Sequence, residues 1–255
     1  MAGLDQALGG NMAGLQVDPA HAWLQQTYDR TAQNYRAQDE EHISGRDYLH
    51  VSKTLREVSA SFDHEIRVLD MGCGTGRYFH CIKNARDLIG LDISQQMLDA
   101  ARNPVRGDEV TAREVTLLRG DLFSAKFPDA YFDFIYCLGV FGNGCAITAR
   151  ACAQIWRWLA PGGAWFFDAT DVSHWPLRMR LKKNVAAQIY STLPRLAKNA
   201  WVKRSGWPPF FGNELCGVRA RLQKSGFVTE WVTSRRSQLP QGDGYKLEVL
   251  TRKPV

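Results

Sequence analysis

The chain has 255 residues, 45% of them hydrophobic and 23% charged, with a formal net charge of +6. That length buries one sizeable core with an elaborated edge, and the proportions are those of an ordinary globular protein. They exclude a membrane-spanning or disulfide-stapled class: no apolar run nears the ~20 residues of a membrane helix. The cysteines (Cys73, Cys81, Cys137, Cys145, Cys152 and Cys216) form no C-x-x-C pair and have no companion histidine spacing, so reduced thiols are expected. His21, His42, His64 and His80 show no metal-ligand spacing either, and no metal is expected. The N-terminus lacks a basic region followed by an apolar core, so a cytoplasmic location is expected.

Residues 1–17, with Gly3, Gly9, Gly10 and Gly14, read as a loose tail. Asp18 as N-cap and Pro19 in the first turn start a helix that places Leu24, Tyr28 and Tyr35 on one face. This helical cap extends to residue 62. Then comes Ile66-Arg-Val-Leu-Asp-Met-Gly-Cys-Gly-Thr-Gly-Arg-Tyr78, an apolar run that ends in Asp70 and feeds a loop with Gly72, Gly74 and Gly76. Glycines let such a loop turn sharply and let a ligand lie against the backbone. A dinucleotide fingerprint would need a glycine at position 77, where Arg77 stands. Taken alone, the loop is equally consistent with a tight turn.

Leu88–Ser94 is a short apolar run closed by Asp92, twenty residues beyond Gly72. That is the distance to the tip of the next strand in a βαβ unit. Ser94 then opens a helix. Thr116–Leu122 ends in Asp121 and Leu122, and Phe132–Val140 reads as a strand. Leu159–Asp168 turns through Pro161, Gly162 and Gly163 into another. Alternation of strands and helices over 66–170 argues for a parallel sheet covered on both faces. A helix over Glu214–Ser225, ended by Gly226, and two strands, Phe227–Thr233 and Tyr245–Thr251, complete the chain.

Five elements in this order resemble the class I S-adenosylmethionine-dependent methyltransferases of the small-molecule type. The resemblance implies an α/β fold: a seven-stranded, mostly parallel, doubly wound sheet with a C-terminal antiparallel hairpin, an N-terminal helical lid and an insertion after strand five. It implies one domain over 18–255, comprising the cap 18–62, the cofactor core 66–170, a lid 172–213 and the terminal part 214–255. It also implies S-adenosylmethionine as cofactor and S-adenosylhomocysteine as product. The expected cofactor residues are Tyr28, Tyr35, Asp70, Gly72, Cys73, Gly74, Gly76, Asp92, Ile93, Met97, Asp121, Leu122, Cys137 and Leu138. Asp92 would accept the ribose hydroxyls, Ile93 and Met97 would flank the adenine, and Asp121 would meet its amino group. The segment Tyr28-Asp-x-x-Ala-x-x-Tyr35 is similar to a lid segment in such enzymes, where a tyrosine near the sulfonium would stabilise it by roughly 0.5–2 kcal/mol. The alternative is a core aromatic stripe.

The insertion 172–213 holds Arg178, Arg180, Lys182, Lys183, Arg195, Lys198, Lys203 and Arg204 and no acid. Its charge of +8 exceeds that of the whole chain, and the remainder sums to −2. Three functional readings stand beside that of an apolar lid with a solvated basic exterior. The cations could hold an acidic group of the acceptor, lie on an anionic membrane surface, or track nucleic acid, the less favoured partner. Trp207-Pro-Pro-Phe210 imitates a base-methylating signature but lacks its initial amide or acid and lies far from strand four.

Methyl transfer by in-line displacement needs alignment and exclusion of water, worth on the order of 7–11 kcal/mol, so no catalytic triad is expected. A base serves only a phenol, alcohol or ammonium acceptor. His174 is the first candidate, with His50, Tyr28 and Tyr35 behind it. Phe141, His174, Trp175 and Arg178 are expected at the acceptor. The expected function is methylation of a small acidic or amphiphilic biosynthetic molecule. The alternatives are RNA or protein methylation, and cofactor binding without methyl transfer.

Overall fold

The computed structural model describes residues 21–142, 145–205, 211–239 and 242–255. The tail, the Asp18–Pro19 helix start and the Trp207–Phe210 segment lie outside the described residues. Seven strands form one sheet: β1 (Ile66–Met71), β2 (Ala85–Asp92), β3 (Glu114–Arg119), β4 (Phe132–Phe141), β5 (Leu159–Asp171), β6 (Val228–Leu239) and β7 (Gly242–Arg252), in the order β3-β2-β1-β4-β5-β7-β6. β1 pairs in parallel with β2 and β4, β2 pairs in parallel with β3, and β6 pairs antiparallel with β7. Parallel strands covered on both faces read as continuous apolar runs, and Val68, Leu69, Leu88, Phe134, Ile135 and Tyr136 are all buried.

The strand order reverses between β1 and β4, and open α/β sheets bind their ligands outside the carboxyl ends of the strands at such a point. Asp70 sits in that position, paired with Gly90 of β2 and Tyr136 of β4. The helices are α1 (Ala22–His42), α2 (Arg46–Ala60), α3 (Gln95–Ala101), α4 (Ala149–Trp158), α5 (Leu177–Thr192), α6 (Arg195–Ser205) and α7 (Leu215–Lys224). α5 stops at Leu193, whose extended backbone is what the following Pro194 favours. α7 ends in a Schellman turn: Gly226 has φ +87°, its N–H donates to Gln223 O, and Phe227 N–H donates to Leu222 O.

The hairpin is longer than the two short strands expected from sequence. Its added residues, such as Ser234, Arg235 and Ser237, are polar and read poorly as strand. Cross-strand pairing holds them, notably Arg235 bonded to the fully buried Glu248 at 2.6 and 3.2 Å.

The chain divides into two compact units. The first holds residues 21–137 with 157–164 and 255, including β1, β2, β3, α1, α2 and α3. The second holds 138–156 and 165–254, including α4 to α7 and the hairpin, though the last residues of α4 belong to the first unit.

Candidate cofactor and acceptor sites

In the first unit, β1 ends at the glycine loop. Gly72 and Cys73 donate backbone N–H bonds to Leu91 O at 2.7 and 3.1 Å, which fastens the loop to the end of β2. Gly74 and Gly76 have φ of +55° and +75°, a region L side chains avoid. They differ in what surrounds them. A Cβ on Gly76 would strike the Phe79 ring at 2.7 Å, whereas one on Gly74 would meet nothing within 4 Å. Gly76 therefore serves packing, and Gly74 faces open space. Cys73 is buried, and burial pushes its thiol well above the ordinary range, so it is a small neutral residue and not a thiolate nucleophile.

Asp92 joins this loop to the second strand tip. Its Oδ2 accepts Gly74 N–H at 2.9 Å and its Oδ1 accepts Ser94 N–H at 2.9 Å. A carboxylate has about four acceptor positions, and the backbone donors of Gly74, Ser94 and Ile93 draw on three of them, so capacity for a ligand hydroxyl remains. Burial pushes Asp92 up to about 6 against the pull of those backbone donors. Asp70 is more deeply buried, and burial raises it well above the usual carboxylate range; the neighbouring Asp92 adds to this and the Tyr136 hydroxyl opposes it.

Asp121 is buried, with Oδ1 accepting Phe123 N–H at 2.9 Å and Oδ2 in contact with His21 Nδ1. The His21 ring also lies 5.6 Å from that of Phe123. His21 thus meets the acid expected to meet adenine, a contact invisible in the sequence because a hundred residues separate the partners. Ile93 and Leu122 are half-buried. Met97 and Cys137 are packed into the interior and offer a ligand little surface.

Helix α1 is fastened by carboxylates. Ser94 caps α3, accepting Met97 N–H at 3.1 Å, and donates its own hydroxyl to Asp29 Oδ1 at 2.6 Å. Ten residues on, or about 15 Å along the helix, the fully buried Asp39 accepts Thr75 Oγ1 at 2.7 Å and Arg77 Nε at 2.6 Å. Arg77, noticed only as a missing third glycine, thereby ties the glycine loop to α1. Tyr28 and Tyr35 stand edge to face at 6.3 Å, but Tyr35 is 39% exposed and the core-stripe alternative fails for it.

In the second unit, Asp171 is buried at the end of β5 and accepts Ser234 Oγ at 2.5 Å and Ser173 N–H at 2.8 Å. His174 Nε2 lies 3.3 Å from Ser234 Oγ, and its ring stacks on Tyr245 at 3.7 Å. The single Ser234 proton goes to Asp171, so toward His174 the serine oxygen can only accept. Nε2 then carries the ring proton of the neutral histidine, and Nδ1 is left as the basic nitrogen. Ser234, Asp171 and Tyr245 were not singled out in the sequence, because chain separation hides them. At the end of β4, Gly139 N–H donates to Asp168 at 2.6 Å, and Asp168 also accepts Lys246 Nζ at 2.7 Å.

Leu138 and Trp175 are half-buried and Arg178 is exposed. Phe141 departs from expectation: its ring is buried against Trp165 and Phe167, at 6.2 and 5.7 Å, and serves the core of this unit. His50 is exposed on α2. Among the described residues there is no cluster of three or more metal-ligating side chains.

Residues 68–163 match the family model described as a methyltransferase domain. The malonyl-[acyl-carrier protein] O-methyltransferase of Pectobacterium atrosepticum is 33% identical over 100 residues, 38% of this chain and 36% of its own length. The curated relatives match over 36–63% of their length. Among solved structures, the [4+2]-cyclase SpnF aligns over 95% of this chain and 99% of its own, with 17% identity and a TM-score of 0.64. A phosphoethanolamine N-methyltransferase of Haemonchus contortus, in complex with phosphomonomethylethanolamine and S-adenosylhomocysteine, aligns over 81% of this chain and 53% of its own. Its identity is 16% and its TM-score 0.56.

Proposed function

Since this chain carries a class I, S-adenosylmethionine-dependent methyltransferase domain, we propose that it transfers a methyl group to a small acidic or amphiphilic acceptor in biosynthesis. The observation that carries this reading is the junction of glycine loop and strand tip. Gly74 faces open space while its N–H is bonded to Asp92, which retains acceptor capacity. That is a suitable cradle for the nucleoside of the cofactor: Asp92 for the ribose hydroxyls, Ile93 and Leu122 beside the base, and Asp70 behind the loop. When bound, S-adenosylmethionine supplies a sulfonium methyl open to in-line displacement.

The protein's own share is to bind, orient and exclude water. α1, fastened at Asp29 and Asp39, holds Tyr28 and Tyr35 for the lid role. Where the acceptor is a phenol, alcohol or ammonium, His174 Nδ1 takes its proton, with Asp171 and Ser234 fixing the ring. A carboxylate acceptor needs no such base. Arg178 and Trp175 would meet the acidic and apolar parts of the acceptor. The name of the Pectobacterium protein refers to a malonyl group on an acyl-carrier protein and that of the Haemonchus protein to a phosphoethanolamine, which supports an acceptor with an acidic group.

A second reading is cofactor binding without methyl transfer, since the same fold occurs in a protein named a [4+2]-cyclase. The test incubates the protein with methyl-labelled S-adenosylmethionine and a cell extract, with Asp92→Ala as control. Label in the small-molecule or lipid fraction is expected. Label in RNA or protein would overturn the acceptor class. Cofactor binding with no label in any fraction would favour the second reading.

A further inference from the structure

Helix α5 is apolar on the side that faces water. Its inward side is already occupied: Ala187 and Tyr190 are buried, Tyr190 meets Trp201 of α6 at 5.9 Å, and Arg180 is bonded to Glu214. Yet Leu177, Leu181, Val185 and Ile189 follow one another at intervals of four and are 64%, 56%, 54% and 48% exposed. Residues at that spacing form one row along a helix. Lys182 flanks this row, Lys183 stands exposed on the side of Ala187, and Leu196 of α6 is 83% exposed. A contiguous row of large aliphatics in water is a marked surface.

We propose that the outer face of α5 is a docking surface for an anionic phospholipid membrane, with the aliphatic row entering the headgroup and acyl boundary. Charge complementarity selects the occupant: the segment between Asp171 and Glu214 carries eight cations and no acid, while the rest of the chain is net negative. The chemistry of the row selects against nucleic acid, because phosphate contacts use the cations alone and leave the aliphatics in water, while base stacking needs aromatic rings that this row lacks. It selects against a protein hot spot, where Trp, Tyr and Arg dominate. Unbranched cationic stems beside aliphatics suit an interface, since they extend their charges to the headgroups while the row sinks inward. This inference does not depend on the identity of the methyl acceptor.

Co-sedimentation of the full chain with vesicles tests it, using equal parts phosphatidylglycerol and phosphatidylcholine against phosphatidylcholine alone, at about 0.1 M salt. The wild type is expected to sediment with the anionic vesicles. The pairs Leu181→Glu with Val185→Glu, and Lys182→Glu with Lys183→Glu, are each expected to weaken binding about tenfold or more. Their melting temperatures should stay at the wild-type value, since the side chains face outward. If the glutamate pair fails to fold, Leu181→Ser with Val185→Ser replaces it, with the same loss expected. No sedimentation of the wild type, or loss in the charge pair with full binding in the aliphatic pair, would overturn the proposal. The latter result would mark a surface for an acidic polymer instead.

Discussion

Asp92 carries the sharpest consequence at the scale of single residues. Its place at the end of a strand, twenty residues beyond the first glycine, could be read from the sequence. Its titration could not, because that depends on burial. With burial pushing Asp92 up to about 6, the free protein holds this proton between pH ~4 and ~6 whereas the unfolded chain does not. The group's contribution to stability is therefore greatest below ~4 and is lost as pH rises toward 6, by on the order of 2–3 kcal/mol. Cofactor affinity should run the other way. The carboxylate is the stronger acceptor, so binding should tighten as pH rises through about 6. Carbon-13 NMR of the side chain should give a midpoint near 6 in the free protein and a lower one with S-adenosylhomocysteine bound; a free midpoint near 4 would contradict this. His174 is the second such residue. With an alcohol, phenol or ammonium acceptor, His174→Ala should lower kcat by about 10²–10⁴-fold and leave cofactor affinity unchanged in a titration. Ser234→Ala should have a smaller effect, because the histidine is freed to turn but retained.

At the scale of elements, α1 separates what pattern can reveal from what only packing shows. The spacing of Leu24, Tyr28 and Tyr35 made the helix legible and suggested attachment through aromatics. The attachment observed is through Asp29 and Asp39, which look like ordinary solvated acids until Ser94, Thr75 and Arg77 are brought to them. Asp39→Ala would strand two donors. It should cost about 1–3 kcal/mol, the lower part of that range if the partly exposed Arg77 reaches water. Asp29→Ala removes a single good bond and should cost about 0.5–1.5 kcal/mol. Chemical denaturation of the two variants measures both, and equal stability with wild type would show the ties to be incidental. The terminal hairpin teaches the same lesson, since the polar ends of β6 and β7 are held by cross-strand bonds that propensity does not register.

For the whole molecule, the seven-stranded, mostly parallel sheet with its terminal hairpin was legible because five spaced signatures occur in one order; the order of the strands and the switch point between β1 and β4 came from the structure. An apolar run closed by an acid is a local feature that needs no knowledge of distant residues. The proposed acceptor side was legible only at His174, because the groups around it, Asp171 at the end of β5 and Ser234 and Tyr245 of the hairpin, come from separated parts of the chain. Phe141 shows the opposite error, an aromatic at a strand tip that packs inward. The insertion's charge was legible, but composition alone could not say that α5 turns its aliphatics outward.

Calorimetric titration of S-adenosylhomocysteine into the wild type and Asp92→Asn at neutral pH tests whether Asp92 holds the cofactor. One site is expected in the wild type and affinity weaker by about tenfold or more in the variant, the value of a lost hydrogen bond to a charged group. Equal affinity in both proteins, or no binding to a folded wild type, would contradict it.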